Sequence, residues 1–159
     1  KNRYAGYSEE GPVYVDNMER LLRKFETAKS YVPAPILHEG SPKSRYGVIY
    51  FGSTAPAMDE ALDRLAANGS PIDAMRVRAF PFADSVAAFI ASHEKVFVVE
   101  QNRDGQLRSM LCNEIGVDPA RLIAVLHYDG TPITARFIIA SILSHQGLSD
   151  ISERTLVLS

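Results

Sequence analysis

The run Lys95–Glu100, Lys-Val-Phe-Val-Val-Glu, constrains the fold more than any other stretch of the chain. Its four consecutive apolar residues are β-branched or aromatic, which favours a strand. Neighbouring side chains of a strand point to opposite faces, so this one presents apolar groups on both. It therefore needs cover on both sides, as in the middle of a sheet layered between helices.

The rest of the chain supplies the matching pieces. Tyr46–Phe51 (YGVIYF) and Leu122–His127 (LIAVLH) are further apolar runs of strand length, and Ile72–Ala79 (IDAMRVRA) alternates as a strand nearer an edge would. Between them, four sets of apolar residues recur at helical spacing. They are Met58, Ala61, Leu62, Leu65 and Ala66; then Val86, Phe89 and Ile90; then Leu107, Met110, Leu111 and Ile115; and finally Phe137, Ile138, Ser141 and Ile142. Ser53 or Thr54, Asp84 and Thr134 are expected N-caps. Asn68-Gly69 and Gly116 are expected helix ends, because glycine takes the left-handed conformation freely. The alternation predicts an α/β fold: three layers, α/β/α, around a mostly parallel mixed sheet.

The first third of the chain reads differently. Residues 1–16 are rich in Tyr, Gly, Ser and Glu, with a Gly11-Pro12 turn signal, and predict an irregular arm. Met18, Leu21, Leu22, Phe25 and Ala28 form one apolar stripe and predict a helix over 17–30, stopped by Pro33 and Pro35. Val32–Arg45 holds three prolines and predicts a linker. The expected organisation is thus 1–45 as arm, helix and linker, and 46–159 as the compact α/β domain. Thr155–Leu158 is expected as a short strand or an ordered end.

Bulk properties narrow the function. The formal net charge is −2, and no basic stripe with interleaved aromatics is present, so no nucleic-acid partner is expected. No apolar run approaches the ~20 residues of a membrane span, so no membrane partner is expected. The single cysteine, Cys112, reads as a small buried hydrophobe. It cannot form an internal disulfide, nor hold an iron–sulfur cluster, which takes about four thiolates. Low cysteine use fits a reducing compartment, and a cytoplasmic location is expected. The chain does not start with Met and reads as a piece of something longer.

Ligands of open α/β sheets gather at the carboxyl ends of the strands. Three loops lie there. Gly52-Ser53-Thr54 could hold an anion at a helix start, or simply cap the helix; no phosphate-loop or dinucleotide pattern of glycines is present. The loop after Glu100, with Asn102 and Gln106, could orient a substrate or make hydrogen bonds at an interface. The loop with His127, Tyr128 and Asp129 suggests a histidine–aspartate pair, but no nucleophile elbow accompanies it and Asp129-Gly130 is a plain turn signal. The four histidines, His38, His93, His127 and His145, are too dispersed for a familiar metal spacing; His93 falls at a helix end, where the dipole favours a cation. No catalytic residue and no metal ligand is assigned. The ligand-binding candidates are Gly52, Ser53, Thr54, Glu100, Asn102 and Gln106.

Five segments in order carry a resemblance. They are Arg20–Ala28 followed by Val32-Pro33-Ala34-Pro35; Phe51-Gly52-Ser53-Thr54; Arg78-Ala79-Phe80-Pro81-Phe82; Val98–Leu107; and Tyr128-Asp129-Gly130-x-Pro132. Together they resemble the alpha subunit of the 2-oxoacid:ferredoxin oxidoreductases, in the 2-oxoglutarate branch. Phe51 stands where that family often has Trp, and the Pro-Phe-Pro element ends in Ala83 instead.

The resemblance implies a domain like the carboxy-terminal domain of transketolase, serving assembly rather than chemistry. In the whole enzyme it implies oxidative decarboxylation of a 2-oxoacid to an acyl-CoA with reduction of ferredoxin. That chemistry uses thiamine diphosphate, magnesium and an iron–sulfur cluster, none of them expected in this fragment, which alone should be inactive. The implied partners are the remaining alpha-subunit domains and the beta subunit, with ferredoxin and CoA met through the whole enzyme; a homodimer is also compatible. Phe80, Pro81, Phe82, Tyr128, Asp129 and the 17–30 helix are the candidate interface. Two other readings stand beside this one: a small-molecule or anion-binding α/β module, and the equivalent domain of a transketolase-like 2-oxoacid dehydrogenase component.

Overall fold

The computed structural model describes residues 1–40 and 44–145. Five strands form one sheet: β1 (Ile36–His38), β2 (Tyr46–Phe51), β3 (Asp73–Val77), β4 (Lys95–Glu100) and β5 (Leu122–Leu126). Their order is β1-β3-β2-β4-β5. All neighbours run parallel except β1, which is antiparallel to β3 with Leu37 opposite Met75. Among the described residues five α-helices accompany it: α1 (Gly11–Ala28), α2 (Ala55–Ala67), α3 (Asp84–Ala91), α4 (Gln106–Ile115) and α5 (Ala135–His145).

The two-faced burial expected of Lys95–Glu100 is realised. Residues Val96 to Glu100 are all buried, with Phe97 and Val99 facing one layer and Val96 and Val98 the other. On the first face α2 and α5 pack Met58, Leu65, Ile138 and Ile142 against the sheet. On the second, α3 and α4 supply Val86, Phe89, Ile90, Leu107 and Leu111. Three layers around a mostly parallel sheet is the architecture the alternation predicts.

Gly47 explains how closely α3 approaches. A Cβ there would lie 2.8 Å from the Phe89 ring and 3.1 Å from the His93 ring. Those two rings pack with centroids 4.4 Å apart. His93 follows the end of α3, as expected, and is buried there. Its Nε2 lies 2.9 Å from Asp73 Oδ2 and its Nδ1 lies 2.7 Å from the Phe89 carbonyl oxygen. The other Asp73 oxygen accepts from the Gly40 amide at 2.7 Å. One buried pair thus pins the end of α3, the start of β3 and the turn after β1.

Several expectations need correction. The irregular arm over 1–16 gives way to helix at Gly11. Pro12 is at home in the first turn, where an amide hydrogen would have no helical partner anyway. The linker over 32–45 contains β1, so the sheet begins at Ile36 rather than Tyr46. Residues 41–43 of that linker, and the strand expected at Thr155–Leu158, lie outside the described residues.

Ser53 and Thr54 do not cap α2. They lie in a 3-10 turn, and the αR backbone of Thr54 differs from the extended one a capping residue adopts. Asp84 is the first residue of α3 rather than its cap, which is Ala83, and it lies 3.5 Å from Lys29 Nζ. Thr134 does cap, accepting the Phe137 amide at 3.2 Å. Gly69 and Gly116 take left-handed backbone at the ends of α2 and α4, as expected.

Because the Phe89 and His93 rings are both buried, Gly47→Ala is expected to destabilise the fold by about 1–3 kcal/mol through overpacking. Urea unfolding of the two proteins checks this, and an unchanged midpoint would contradict the close approach.

Candidate functional site

The carboxyl ends of β2, β4 and β5 meet along one edge, where Gln101 joins them. Its Nε2 donates to Ser53 Oγ at 3.0 Å and to Thr54 Oγ1 at 3.3 Å. Its Oε1 accepts from the Ile133 amide at 3.4 Å. The hydroxyls expected to cap a helix are therefore acceptors for a side chain from the neighbouring loop. Nothing local to residues 52–54 announces this, because the partner lies 47 residues or more away.

Glu100 is fully buried. One carboxylate oxygen accepts from the Leu107 amide at 2.7 Å and from Asn102 Nδ2 at 2.8 Å. The other accepts from the Arg108 amide at 3.0 Å. Asn102 Oδ1 in turn accepts from the amides of Asp104 and Gln106, at 3.1 and 3.3 Å. Gly105, at φ 60°, makes the left-handed turn that swings α4 back onto these groups. The first amides of a helix lack helical partners and carry partial positive charge. Here a carboxylate and an amide from the chain itself occupy that position.

The six ligand-binding candidates therefore divide. Gly52 and Gln106 line one concave space of about 630 Å³, walled by Phe51, Phe80, Phe82 and Met110. Ser53 and Thr54 face Gln101, and Glu100 and Asn102 hold α4. Met110, placed inward by its helical spacing, is instead 38% exposed and lines this cavity.

The interface candidates also divide. Phe80 is 38% exposed while Phe82 is buried, and their rings meet edge to face at 5.3 Å. Pro81, after a cis peptide bond, lines a separate hollow under α1. Tyr128 is exposed in the loop after β5. Asp129 accepts from the Thr131 amide and hydroxyl, at 2.8 and 2.7 Å, and these bonds hold its carboxyl below the usual carboxylate range. Its contact with His127 Nε2 is long, at 3.5 Å. The arrangement is that of a turn. Among the described residues no three His, Cys, Asp or Glu side chains gather as metal ligands.

Replacing Glu100 by Ala would leave the Leu107 and Arg108 amides without acceptors, an expected loss of about 2 kcal/mol or more. Glu100→Gln, which keeps one carbonyl acceptor, should lose less. Amide hydrogen exchange at Leu107 and Arg108 should accelerate in the order wild type, Gln, Ala.

No family model matches the sequence. A curated relative, subunit alpha of 2-oxoacid:ferredoxin oxidoreductase 2 from Aeropyrum pernix, is 31% identical over 134 residues. The match takes in 80% of this chain but only 20% of that relative's own length. Among solved structures, the 2-oxoglutarate:ferredoxin oxidoreductase of Magnetococcus marinus superposes with a TM-score of 0.76 at 24% identity, over 86% of this chain and 24% of the other. That likeness shows the same fold. By sequence over most of its length, this chain is a relative of the alpha subunits of 2-oxoacid:ferredoxin oxidoreductases.

Proposed function

We propose that the chain is the carboxy-terminal domain of such an alpha subunit, and that it completes a larger enzyme rather than reacting itself. The observation that carries this reading is the state of Glu100 and Asn102. They are the most promising polar groups at the carboxyl edge, and both are consumed in holding α4. The kinship in sequence supports the family, and the small share of the relative that is matched supports a part rather than a whole.

In the complete enzyme the proposed reaction is oxidative decarboxylation of a 2-oxoacid, 2-oxoglutarate first among candidates, to an acyl-CoA with reduction of ferredoxin. The proposed location is the cytoplasm. Thiamine diphosphate would supply the carbon chemistry and an iron–sulfur cluster the electron path. The residues here do not fit these groups. Cys112 cannot furnish a cluster's thiolates, and the described residues gather no magnesium-binding set. The domain boundary of the compact unit belongs to the same proposal, and the pairing of β1 with β3 supports a start before Ile36.

One observation favours a second reading, a small-molecule site. The cavity of about 630 Å³ beside Gly52 and Gln106 lies where parallel sheets commonly bind ligands. Two measurements separate the readings. The natural complex purified with all its subunits should reduce ferredoxin when given 2-oxoglutarate and CoA, while the 159-residue chain alone should not. Titration of the isolated chain with CoA, phosphate and 2-oxoacids should release no heat. Heat with one of them would favour the binding module, and a complex silent with every 2-oxoacid would overturn the oxidoreductase reading.

A further inference from the structure

Helix α1 has eighteen residues and buries none of them. A helix in that state normally owes its order to a partner, since packing of an apolar face supplies most helical stability. Tyr14, Met18, Leu21, Phe25 and Ala28 follow one another at spacings of four, three, four and three. That is the seam of a helix built to lie along another helix, with Val15 and Leu22 widening it. The domain touches this seam near its carboxyl-terminal end and leaves much of it open, Leu22 and Phe25 included. Phe25 meets Phe80 edge to face at 6.0 Å, and Lys29 lies 3.5 Å from Asp84. Toward the amino end Tyr14 is 60% exposed, Val15 53% and Leu21 37%.

The charges beside the seam say what kind of helix belongs there. Lys24 and Lys29 border it; Lys29 is already paired with Glu26 and Asp84, while among the described residues Lys24 makes no ion pair. In a pair of identical helices, Lys24 of one copy would face Lys29 of the other if parallel, or Lys24 if antiparallel. The antiparallel arrangement sets like charges together, and neither arrangement gives Lys24 an acidic partner. Acidic residues at the flanking positions of a different helix would be complementary.

We propose that α1 is a docking helix. Its exposed seam receives an apolar-seamed helix with acidic flanks from the rest of the same polypeptide. The proposal rests on the alpha-subunit reading, because the match covers 20% of the relative's length and leaves the remaining chain to supply that helix. It adds to that reading the face used, the class of element received and the sign of its charges. The hollow of about 360 Å³ between α1 and the Phe80–Asp84 segment is lined by apolar groups, Leu22 and Phe25 among them, together with the charged Glu26, Lys29 and Asp84.

The test places the photo-cross-linker benzoylphenylalanine at position 14, 21 or 23 of the complete natural polypeptide, purified with its subunits. Position 23 lies on the polar face and serves as the control. All three sites are exposed, so folding should be unaffected. Positions 14 and 21 should capture one helix of the same polypeptide, outside these 159 residues, with Asp or Glu beside its apolar seam; position 23 should not. Capture of a second copy of α1, of the domain's own Phe80–Ile115 face, or of a different polypeptide would overturn the proposal. So would equal capture from position 23. Turnover of the unmodified complex is measured in parallel. Its absence would count against the oxidoreductase reading alone, because the destination of the cross-links is independent of the reaction.

Discussion

A parallel strand with apolar side chains on both faces cannot be left half covered, and β4 with its neighbour β2 imposes that condition on everything around it. Val48 and Tyr50 of β2 bury toward α2 and α5, while Ile49 buries toward α3 and α4. At about 25 cal/mol per Å² of apolar surface, leaving either face open would be strongly unfavourable. The crossovers must therefore distribute helices to both sides. One detail shows how tight the condition is. The Tyr50 hydroxyl is buried without a hydrogen-bond partner among the described residues, and burial pushes its pKa up.

The same strand decides the chemistry of the carboxyl edge. β4 ends in a carboxylate that is as buried as the apolar residues before it. A buried carboxylate needs hydrogen bonds, and the nearest free donors are the first amides of the following helix. Once Gly105 turns the chain, Glu100 and α4 satisfy one another. An arrangement often available to a bound phosphate is thereby closed from within. Gln101, the next residue, does the same between loops, so the edge is knitted by its own side chains. What remains open is the apolar cavity beside Phe51, Phe80 and Met110.

Much of this fold was legible in the sequence, because periodicity reports which faces are apolar and each long element has enough residues to declare its period. β2, β4, α2 and α4 follow from such patterns. The elements that were not legible depend on distant partners. β1 is three residues long among prolines and exists through its pairing with β3. Asp73 and His93 are separated by 20 residues, and each alone looks like a surface group. Ser53 and Thr54 carry the composition of a cap, but Gln101 competes for their hydroxyls. At the candidate site the residue types were legible, while the direction in which each points was set by the neighbouring loop.

The two flanks of the molecule differ in a way that bears on its role. Along the carboxyl edge, most polar groups have internal partners, and the exposed Asp129 is folded into its own turn. Along the α1 side Tyr14, Leu22 and Phe25 stand exposed on the helix, and the exposed Phe80 meets Phe25. Isolated exposed apolar side chains are ordinary, but a seam at helical spacing that runs on to an exposed phenylalanine is a patch. A domain that reacted with small molecules would be expected to concentrate unsatisfied polar groups in its cleft and polar cover elsewhere. Here the distribution is reversed. The chain saturates its own polar edge and leaves apolar side chains exposed on the α1 flank, the distribution expected if, as proposed, the domain is completed by more protein.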